Sequence, residues 1–370
     1  MFSPRKESLR EAVADMCHHQ QGSHGWSAFH ECLGVVAAFR HPTGLDRLLA
    51  SLWRSRPHIS DAHTITLLGI AVRHHLRRLG GPAEVFDPEQ PLAHRASALA
   101  HLLETQGHAI SRHMESHSNS YTGARRFLLP QLVIGAFAES RGMRGVRLLD
   151  LGTSIGLLPR QLNNEVIFRR FAPDLRWHPA APPYRPIPLD FVCGVDRPPL
   201  PTLEWVRTCH GPSDYYEQRL AEVLWSLEQS SLKQASREQA SRGQASPEQP
   251  GSAAGAVRLL PLDLLDSPRL AGFLTEHRIN VVTCSFVLYQ YGSETREELV
   301  RTVMRALGTP GLLLVMEPSH ALARKGCTVH AYRDGSTEPL HVADVSDAHF
   351  MGDVTVGPDM SALTRPEAHR

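Results

Sequence analysis

The segment LLDLGTSIGLL (148–158) combines residue types and spacing that could serve a chemical function. An apolar run ends in Asp150, and Gly152, Ser154 and Gly156 follow at every second position before a helical stretch begins. Small residues at such a turn let a ligand approach the bare backbone N–H groups that open a helix. Glycines also permit a tight turn that binds nothing, so the segment predicts a ligand site only together with the rest of the chain.

The same residues satisfy the pattern G-x-S-x-G, in which a serine on a strand-to-helix turn acts as a nucleophile. In this alternative Ser154 attacks a carbonyl, with His320 and either Asp263 or Asp266 as its partners. Such a serine should follow several earlier strands and a loop of HGGG type that supplies the oxyanion hole. The sequence before residue 148 predicts helices and contains no such loop, so an α/β-hydrolase is the weaker alternative.

Residues 1–140 predict an all-helical domain that caps a site and contacts a substrate. Apolar residues recur at i, i+3, i+4 and i+7 in the segments 45–53, 64–79 and 92–106, with little β-branched alternation. Gly80 should end the second of these helices, because glycine is a permissive C-cap.

Residues 141–370 predict an α/β domain on a Rossmann-like, doubly wound parallel sheet. Five short runs are apolar throughout, as strands covered by helices on both faces are. These runs are VRLLDL (146–151), FVCGVD (191–196), VRLLPLD (257–263), INVVTCSFV (279–287) and GLLLVME (311–317). The helical stretches between them provide the crossovers that parallel strands need.

Two segments interrupt this alternation. A proline-rich connection between Pro173 and Pro201 predicts stiff, irregular chain. Between 229 and 256 the chain is polar, rich in Gly, Ser, Ala and Pro, and repeats Gln-Ala-Ser every five residues. Because a period of five matches neither a helix face nor a strand, this segment predicts a disordered insertion.

The order and content of residues 145–318 resemble the class I S-adenosylmethionine (SAM) methyltransferase superfamily. Its first motif is a strand, an acid and Gly-x-Gly-x-Gly, which LDLGTSIG matches with Ser154 at the middle glycine. The resemblance implies that Asp196, at the end of VCGVD, binds both ribose hydroxyls of SAM. It also implies that Asp263, with Asp266 as the less favoured choice, reaches the adenine amine. The implied cofactor-binding residues are Asp150, Gly152, Ser154, Gly156, Asp196, Asp263 and Ser285.

A closer resemblance, over residues 120–318, is to a family of bacterial proteins with this fold whose first motif reads E-V-G-A-S-A-G-L. The shared features are the helical front half, the proline-rich connection, G-V-D-x-x-P-L at 194–200 and D-L-L-D at 263–266. This resemblance makes the serine of the first motif a family feature and supplies no activity.

The candidate catalytic residues are tyrosines. When the sulfonium of SAM is attacked, the protein has to aim one nucleophile at one carbon, and tyrosine faces can hold the cation. Tyr289 and Tyr291 follow the fourth predicted strand with Gln290 between them, and we expect one of the pair to pack inward and the other to be functional. Tyr121 lies in the polar turn HSNSYTGARRF (117–127).

Three further polar residues have two interpretations each. Asn119 and Arg125, in the same turn as Tyr121, line the pocket or only cap a helix with solvent-facing groups. Glu317, at the end of the fifth predicted strand, is a base or a solvated terminus. An ionised carboxylate such as Asp196 can accept both hydroxyls of a ribose diol in charge-assisted hydrogen bonds, which supports its role independently of the resemblance.

The composition excludes several classes of partner. With 39 basic and 38 acidic residues the net charge is +1, which gives no field that would collect nucleic acid or anionic lipid and favours a small-molecule substrate. No apolar run approaches the roughly 20 residues that cross a bilayer, and no signal peptide is apparent. Six scattered cysteines favour reduced thiols in a cytoplasmic protein. His108, His113 and His117 share a helix face without the carboxylate of a zincin motif, so we expect no metal.

Three functions remain open from the sequence. The first is a SAM-dependent methyltransferase that acts on a small molecule, as in secondary metabolism. The second is a SAM-consuming cyclase or lyase, in which the amino group of SAM attacks its own carbon chain to give azetidine-2-carboxylate and methylthioadenosine. The lack of an obvious His or Lys base after the fourth predicted strand favours this second reaction over an average methyltransferase. The third is a non-catalytic protein of this fold that binds a partner.

Overall fold

The computed structural model describes residues 4–19, 25–39, 43–80, 84–179, 181–242, 257–318 and 326–364 of the 370-residue chain. These residues form two compact units. The helical unit comprises the described residues of Met1–Tyr121, Pro201–Leu220 and Tyr289–Thr295. The sheet unit comprises those of Thr122–Leu200, Ala221–Leu288 and Arg296–Arg370.

The secondary structure of the described residues is predominantly helical in the first third and alternates afterwards. The helices are α1 (Pro4–His19), α2 (Trp26–Ala37), α3 (Gly44–Ser55), α4 (Asp61–Leu79), α5 (Leu92–Ser116), α6 (Leu128–Ser140), α7 (Leu157–Gln161), α8 (Glu165–Phe171), α9 (Leu203–Cys209), α10 (Asp214–Arg242), α11 (Ser267–Glu276), α12 (Ser293–Ala306) and α13 (Met360–Thr364). The strands are β1 (Val146–Leu151), β2 (Leu175–His178), β3 (Leu189–Asp196), β4 (Arg258–Pro261), β5 (Val281–Ser285), β6 (Leu312–Pro318), β7 (Cys327–Arg333), β8 (Leu340–Val345) and β9 (Gly352–Val356).

In the helical unit, local sequence fixes where the helices begin and end. A capping box starts α3, in which Thr43 and Asp46 each accept a hydrogen bond from the other's backbone N–H. Ser60 caps the start of α4, and Gly80 ends it in the left-handed conformation with φ 62°. Helices α3, α4 and α5 confirm the three helical segments that the apolar periodicity predicts. Their apolar faces form one core with α1 and α2, in which Phe29 is fully buried.

The boundary between the units lies at residue 121 rather than at the predicted 140. Helix α6 belongs to the sheet unit because apolar side chains along it are buried in that unit's core. Phe127, Ile134 and Phe137 have no exposed surface and belong to the same cluster as Val146 and Leu148 of β1. Two later segments, 201–220 and 289–295, belong to the helical unit, which periodicity along the chain could not indicate.

The sheet has nine strands among the described residues, in the order β2-β9-β8-β7-β6-β5-β1-β3-β4. Strands β4, β3, β1, β5 and β6 are mutually parallel and contain the five runs predicted from the sequence. Numbered along the chain, these five follow the order 3-2-1-4-5 of a doubly wound fold. The predicted Rossmann-like α/β fold is therefore confirmed.

The remaining strands correct the expectation that the whole sheet is parallel. Strand β7 is antiparallel to β6 and β8, and β9 is antiparallel to β8. Burial alternates along β7, and its sequence CTVHAYR mixes polar and apolar residues. A search for runs that are apolar throughout misses strands of this kind.

Helix α10 corrects part of the predicted insertion. The helix continues to Arg242, so residues 229–242 are helical where the sequence predicts disorder. Gln, Ala, Arg, Glu and Lys, which make up most of this stretch, are good helix formers, and a helix needs no five-residue period to form. Residues 243–256 of the predicted insertion lie outside the described residues.

Among the described residues, no helix combines the length and the apolar character that crossing a membrane would require.

Candidate functional site

The turn after β1 has a left-handed backbone at three alternate positions. Gly152, Ser154 and Gly156 have φ angles of 62°, 54° and 73°. A Cβ on Gly152 would also lie 2.4 Å from a methyl carbon of Val287, so glycine is required there for space as well as conformation. Ser154 accepts a conformation that costs a non-glycine residue roughly 1 kcal/mol. Ser154 thus adopts a left-handed conformation that a glycine would take more readily.

Asp196 ends β3, the neighbour of β1, and is bonded to this turn. One carboxylate oxygen accepts the backbone N–H of Ser154 at 2.7 Å, and the other accepts the N–H of Arg197 at 2.7 Å. Burial raises the pKa of Asp196 to about 6, although these two hydrogen bonds act in the opposite direction. The residue keeps part of its surface exposed. Each carboxylate oxygen retains a lone pair that a ligand hydroxyl could use.

Asp150 lies beneath the turn. It is 3% exposed, and its carboxylate accepts a hydrogen bond from Oγ1 of Thr283 on β5 at 2.7 Å. Burial, with a smaller contribution from the charge of Asp196, raises its pKa to about 7, although the hydrogen bond from Thr283 acts in the opposite direction. Asp150 therefore ties β1 to β5 from inside the sheet unit.

The carboxyl ends of β1, β3 and β5 lie side by side. In register, Asp150 pairs with Gly194 of β3 and with Thr283 of β5. The chain leaves β1 towards β3 on one side, whereas β5 is on its other side, so β1 and β5 mark the topological switch point of the sheet. Ligands of doubly wound folds bind in the crevice outside the strand ends at this point.

Ser285, the last residue of β5, provides a test of whether this edge fits a ligand. Its Oγ is buried and has no hydrogen-bond partner among the described residues. A buried hydroxyl without a partner is costly, so most such groups in folded proteins are bonded to protein, water or ligand. The Ser285 hydroxyl at the switch point is thus suited to a polar group of a bound molecule.

The two acids after β4 have different surroundings. Asp263 accepts the N–H of Leu265 at 3.0 Å and lies 3.8 Å from the guanidinium of Arg197. Asp266 caps α11 by accepting the N–H of Arg269 at 3.2 Å. Asp266 is accounted for as a helix cap, and Asp263 remains the candidate for ligand contact.

Glu317 is hydrogen-bonded to the backbone that follows β5. Its carboxylate accepts the backbone N–H groups of Val287 and Leu288 at 2.9 and 2.8 Å. The preceding residue, Phe286, has φ 57°, and the guanidinium of Arg126 lies 3.9 Å from the centre of its ring. Glu317 and Arg126 therefore hold the chain in a fixed course where it leaves β5.

Tyr289 makes side-chain and backbone contacts within the helical unit. Its hydroxyl accepts a hydrogen bond from Nδ2 of Asn119 at 3.0 Å, and its ring meets the ring of buried His63 edge to face at 5.7 Å. The main chain is anchored as well: the Ser60 hydroxyl donates to the carbonyl of Tyr289 at 2.7 Å, and the Ser60 N–H donates to that of Gln290 at 2.8 Å. No pattern along the chain indicates His63, which lies 226 positions earlier.

Tyr291 is the member of the pair that packs inward. It is 9% exposed, and its backbone forms an isolated antiparallel bridge with Ile59. Tyr289 is more exposed. Tyr289 therefore stays the functional candidate of the pair.

Tyr121 belongs to an aromatic group within the helical unit. Its ring lies 4.4 Å from that of His210 and 6.1 Å from that of Tyr216, and its N–H donates to Oδ1 of Asn119 at 2.9 Å. The His210 Nδ1 is 2.8 Å from the carbonyl of Val206. Because a carbonyl only accepts, Nδ1 must carry the proton. Asn119 thus contacts two of the three candidate tyrosines, Tyr121 and Tyr289.

Arg125 does not line a pocket. It pairs with Asp174 at 2.7 Å and with Glu222 within the sheet unit, and its guanidinium stacks on the ring of Phe171. These contacts raise its pKa despite burial. Arg125 is therefore part of the core of the sheet unit.

The hydrolase alternative lacks its structural setting. Ser154 follows β1, and no strand precedes β1 in the part of the chain that the structure describes. The proposed partner His320 lies outside the described residues. A nucleophile elbow needs earlier strands to carry the oxyanion hole, so this arrangement does not support Ser154 as a nucleophile.

The described residues contain no group of three or more His, Cys, Asp or Glu that could hold a metal ion. His113 and His117 lie with their ring centres 6.0 Å apart, and His108 is exposed.

No protein-family model matches the chain, and no curated protein is similar to it in sequence. The fold is similar to that of the rRNA methyltransferase aviRa from Streptomyces viridochromogenes, with a TM-score of 0.29 and 13% identity, covering 55% of this chain and 79% of that one. PigF, solved with SAH, has a TM-score of 0.23 and 14% identity, and the match covers 77% of this chain and 55% of that one. The mitomycin 7-O-methyltransferase MmcR has a TM-score of 0.23 and 13% identity, and the match covers 80% of this chain and 55% of that one. The chain thus spans about half the length of the last two proteins.

These TM-scores are low, and the strand order of the chain itself defines the fold. That order and the turn after the first strand are those of a Rossmann-like, doubly wound α/β fold.

Proposed function

We propose that the chain is an enzyme that uses SAM and binds it at the carboxyl edge of β1, β3 and β5. The observation that carries this proposal is the grouping of Asp196, the left-handed turn and the Ser285 hydroxyl at the switch point of the sheet. A nucleoside with a free ribose diol matches the Asp196 carboxylate, which is charged above a pH of about 6.

Each residue of the edge has a role in this proposal. Asp196 holds the ribose hydroxyls, and Gly152 and Gly156 let the methionyl part approach the backbone. Ser285 bonds a polar group of the ligand, and Asp263 reaches the adenine amine. Asp150 supports the turn from beneath.

We further propose methyl transfer to a small molecule as the reaction. When bound, SAM supplies an electrophilic methyl group on its sulfonium. Tyr289, held by Asn119, orients the acceptor or shields the sulfonium with its ring. The cyclase alternative relied on the absence of a base after β5, yet His63 packs against Tyr289 and supplies an imidazole beside the candidate residue. This contact favours transfer to an acceptor over cyclisation.

The test is incubation of the purified protein with SAM alone and with SAM plus a fractionated small-molecule extract, followed by mass spectrometry. We expect S-adenosylhomocysteine together with a product 14 mass units heavier than a component of the extract, and only when extract is present. Methylthioadenosine formed from SAM alone would instead support the cyclase. If calorimetry detects no SAM binding, both reactions are wrong and a non-catalytic protein remains.

Asp196→Asn is the diagnostic variant for this assay, and Asp190→Asn is its matched control. Both acids lie on β3, but Asp190 is at the opposite end of the strand and is exposed. At a SAM concentration near the wild-type Kd, SAM use should fall sharply in the first variant and be retained in the second.

A further inference from the structure

A groove of about 590 Å³ lies on the helical unit, between the C-terminal halves of α4 and α5. The proposed function assigns nothing to it. The residues that line it are His75, Arg78, Leu79, Ala109, Arg112, His113, Ser116 and His117. A volume of this size is within the range of small-molecule sites, roughly 300–1,000 Å³.

The lining is cationic and contains no acid. Arg78 comes from α4 and Arg112 from α5, and neither guanidinium forms a salt bridge within the described part of the chain. Three histidines add groups that can accept a proton. Two helices thus direct positive charge into one groove without a balancing carboxylate.

The acids of α5 are engaged elsewhere. Glu104 pairs with Arg47, and Glu115 accepts hydrogen bonds from the hydroxyls of Ser51 and Ser111. Their carboxylates cannot neutralise the groove without breaking those contacts. The charge of the groove is therefore not compensated from its own helix.

Histidines lie close together at the groove. His113 and His117, which line it, have ring centres 6.0 Å apart, and the ring centre of His74, which does not line it, lies 4.6 Å from that of His113. Burial and, to a smaller extent, the neighbouring His74, His117, Arg78 and His75 lower the pKa of His113 to about 4. The Nε2 atom of His75 is buried and has no hydrogen-bond partner among the described residues. An anion in the groove would offset the positive charge of its arginines and would give the Nε2 atom of His75 a hydrogen-bond partner.

We propose that this groove binds a small organic phosphate. The phosphoryl group lies between Arg78 and Arg112, which both donate charge-assisted hydrogen bonds to it. A phosphate dianion can balance two guanidinium groups, whereas a ligand with a single carboxylate carries only one negative charge. Leu79 and Ala109 contact the organic part. With a net charge of +1 the whole chain has no general attraction for polyanions, so the site is specific to this groove.

Calorimetric titration with phenyl phosphate tests the proposal, with phenol and inorganic phosphate as comparison ligands. We expect phenyl phosphate to bind more tightly than either comparison ligand and to shift the imidazole NMR signals of His113 and His117. Arg78→Gln and Arg112→Gln should each weaken binding at least tenfold, since each variant removes one of the two guanidinium groups that bond to the phosphoryl group.

Arg77→Gln is the matched control, because Arg77 is an exposed neighbour on α4 that does not line the groove. It should leave the affinity unchanged, and circular dichroism should show that all variants are folded. Equal binding of phenol, or unchanged affinity in the Arg78 and Arg112 variants, would overturn the proposal. Asp196→Asn should bind phenyl phosphate normally, so failure of the proposed SAM site is distinguishable from failure of this one.

Discussion

The backbone N–H of Ser154 donates a 2.7 Å hydrogen bond to the carboxylate of Asp196. The two residues are 42 positions apart in the sequence, and the bond joins the turn after β1 to the end of β3. It stabilises the left-handed conformation of Ser154 and fixes the direction of the Asp196 carboxylate. One interaction thus sets the geometry of two residues that we propose to contact the same ligand.

Removing the charge of Asp196 should weaken SAM binding. Asp196→Asn keeps an acceptor oxygen but loses the charge assistance to the ribose hydroxyls, about 1.4–2.8 kcal/mol in total, so we expect a 10- to 100-fold rise in Kd. Isothermal titration calorimetry measures this directly. The exposed acid at the other end of the strand, Asp190, serves as control, and an unchanged Kd in Asp196→Asn would contradict the ribose assignment.

SAM binding should depend on pH. The pKa of Asp196 is raised to about 6, so the carboxylate is charged above this pH and protonated below it. Affinity should be constant above a pH of about 7 and fall towards tenfold per unit below a pH of about 6. Kd measured from pH 5 to 8 checks this, and in Asp196→Asn the slope should be absent. A slope that persists in the variant would point to another group.

Asp150 should make the fold less stable as the pH rises. Its folded pKa of about 7 is above the ordinary value of 3.8, so its stabilising contribution is complete below a pH of about 4 and lost as the pH rises through 7. Asp150→Asn removes an effect on the order of 3–4 kcal/mol. We expect the Tm difference, variant minus wild type, to be larger at pH 8 than at pH 4.5. A pH-independent difference would show that Asp150 ionises normally.

Ser154→Gly should preserve binding and raise stability slightly. Glycine relieves a left-handed strain of roughly 1 kcal/mol, partly offset by its greater freedom in the unfolded chain. The backbone N–H that bonds to Asp196 remains. Ser154→Val should lower the Tm, because a β-branched residue tolerates this conformation poorly. Differential scanning fluorimetry measures the Tm, and SAM titration measures binding. Complete loss of turnover in Ser154→Gly would support the hydrolase alternative instead.

Tyr289→Phe should reduce turnover while leaving SAM affinity largely intact. The variant keeps the ring but loses the hydroxyl that accepts from Asn119, and we expect kcat to fall at least tenfold. Tyr291→Phe is the matched control, because Tyr291 is buried two residues further along. Turnover of SAM with the extract, followed by mass spectrometry, gives both rates. Equal effects in the two variants would remove Tyr289 from the site.

Local sequence was sufficient for the elements that carry the fold. Strands that are apolar throughout, helices with apolar faces, and a glycine C-cap such as Gly80 are encoded within a few residues, because burial and backbone conformation impose them directly. The order of β1, β3, β4, β5 and β6 followed from the same patterns together with the resemblance. The antiparallel strands did not, because their half-buried pattern lacks a continuous apolar run.

Only the tertiary structure decided how individual polar residues are used. Glu317, Arg125 and Asp266 have the appearance of site residues in the sequence, yet they bond to backbone N–H groups or to other charges because the fold brings those partners to them. His63 became a neighbour of Tyr289 through folding across 226 positions. A side chain's chemistry is set by its surroundings, and residues distant in the chain supply most of those surroundings.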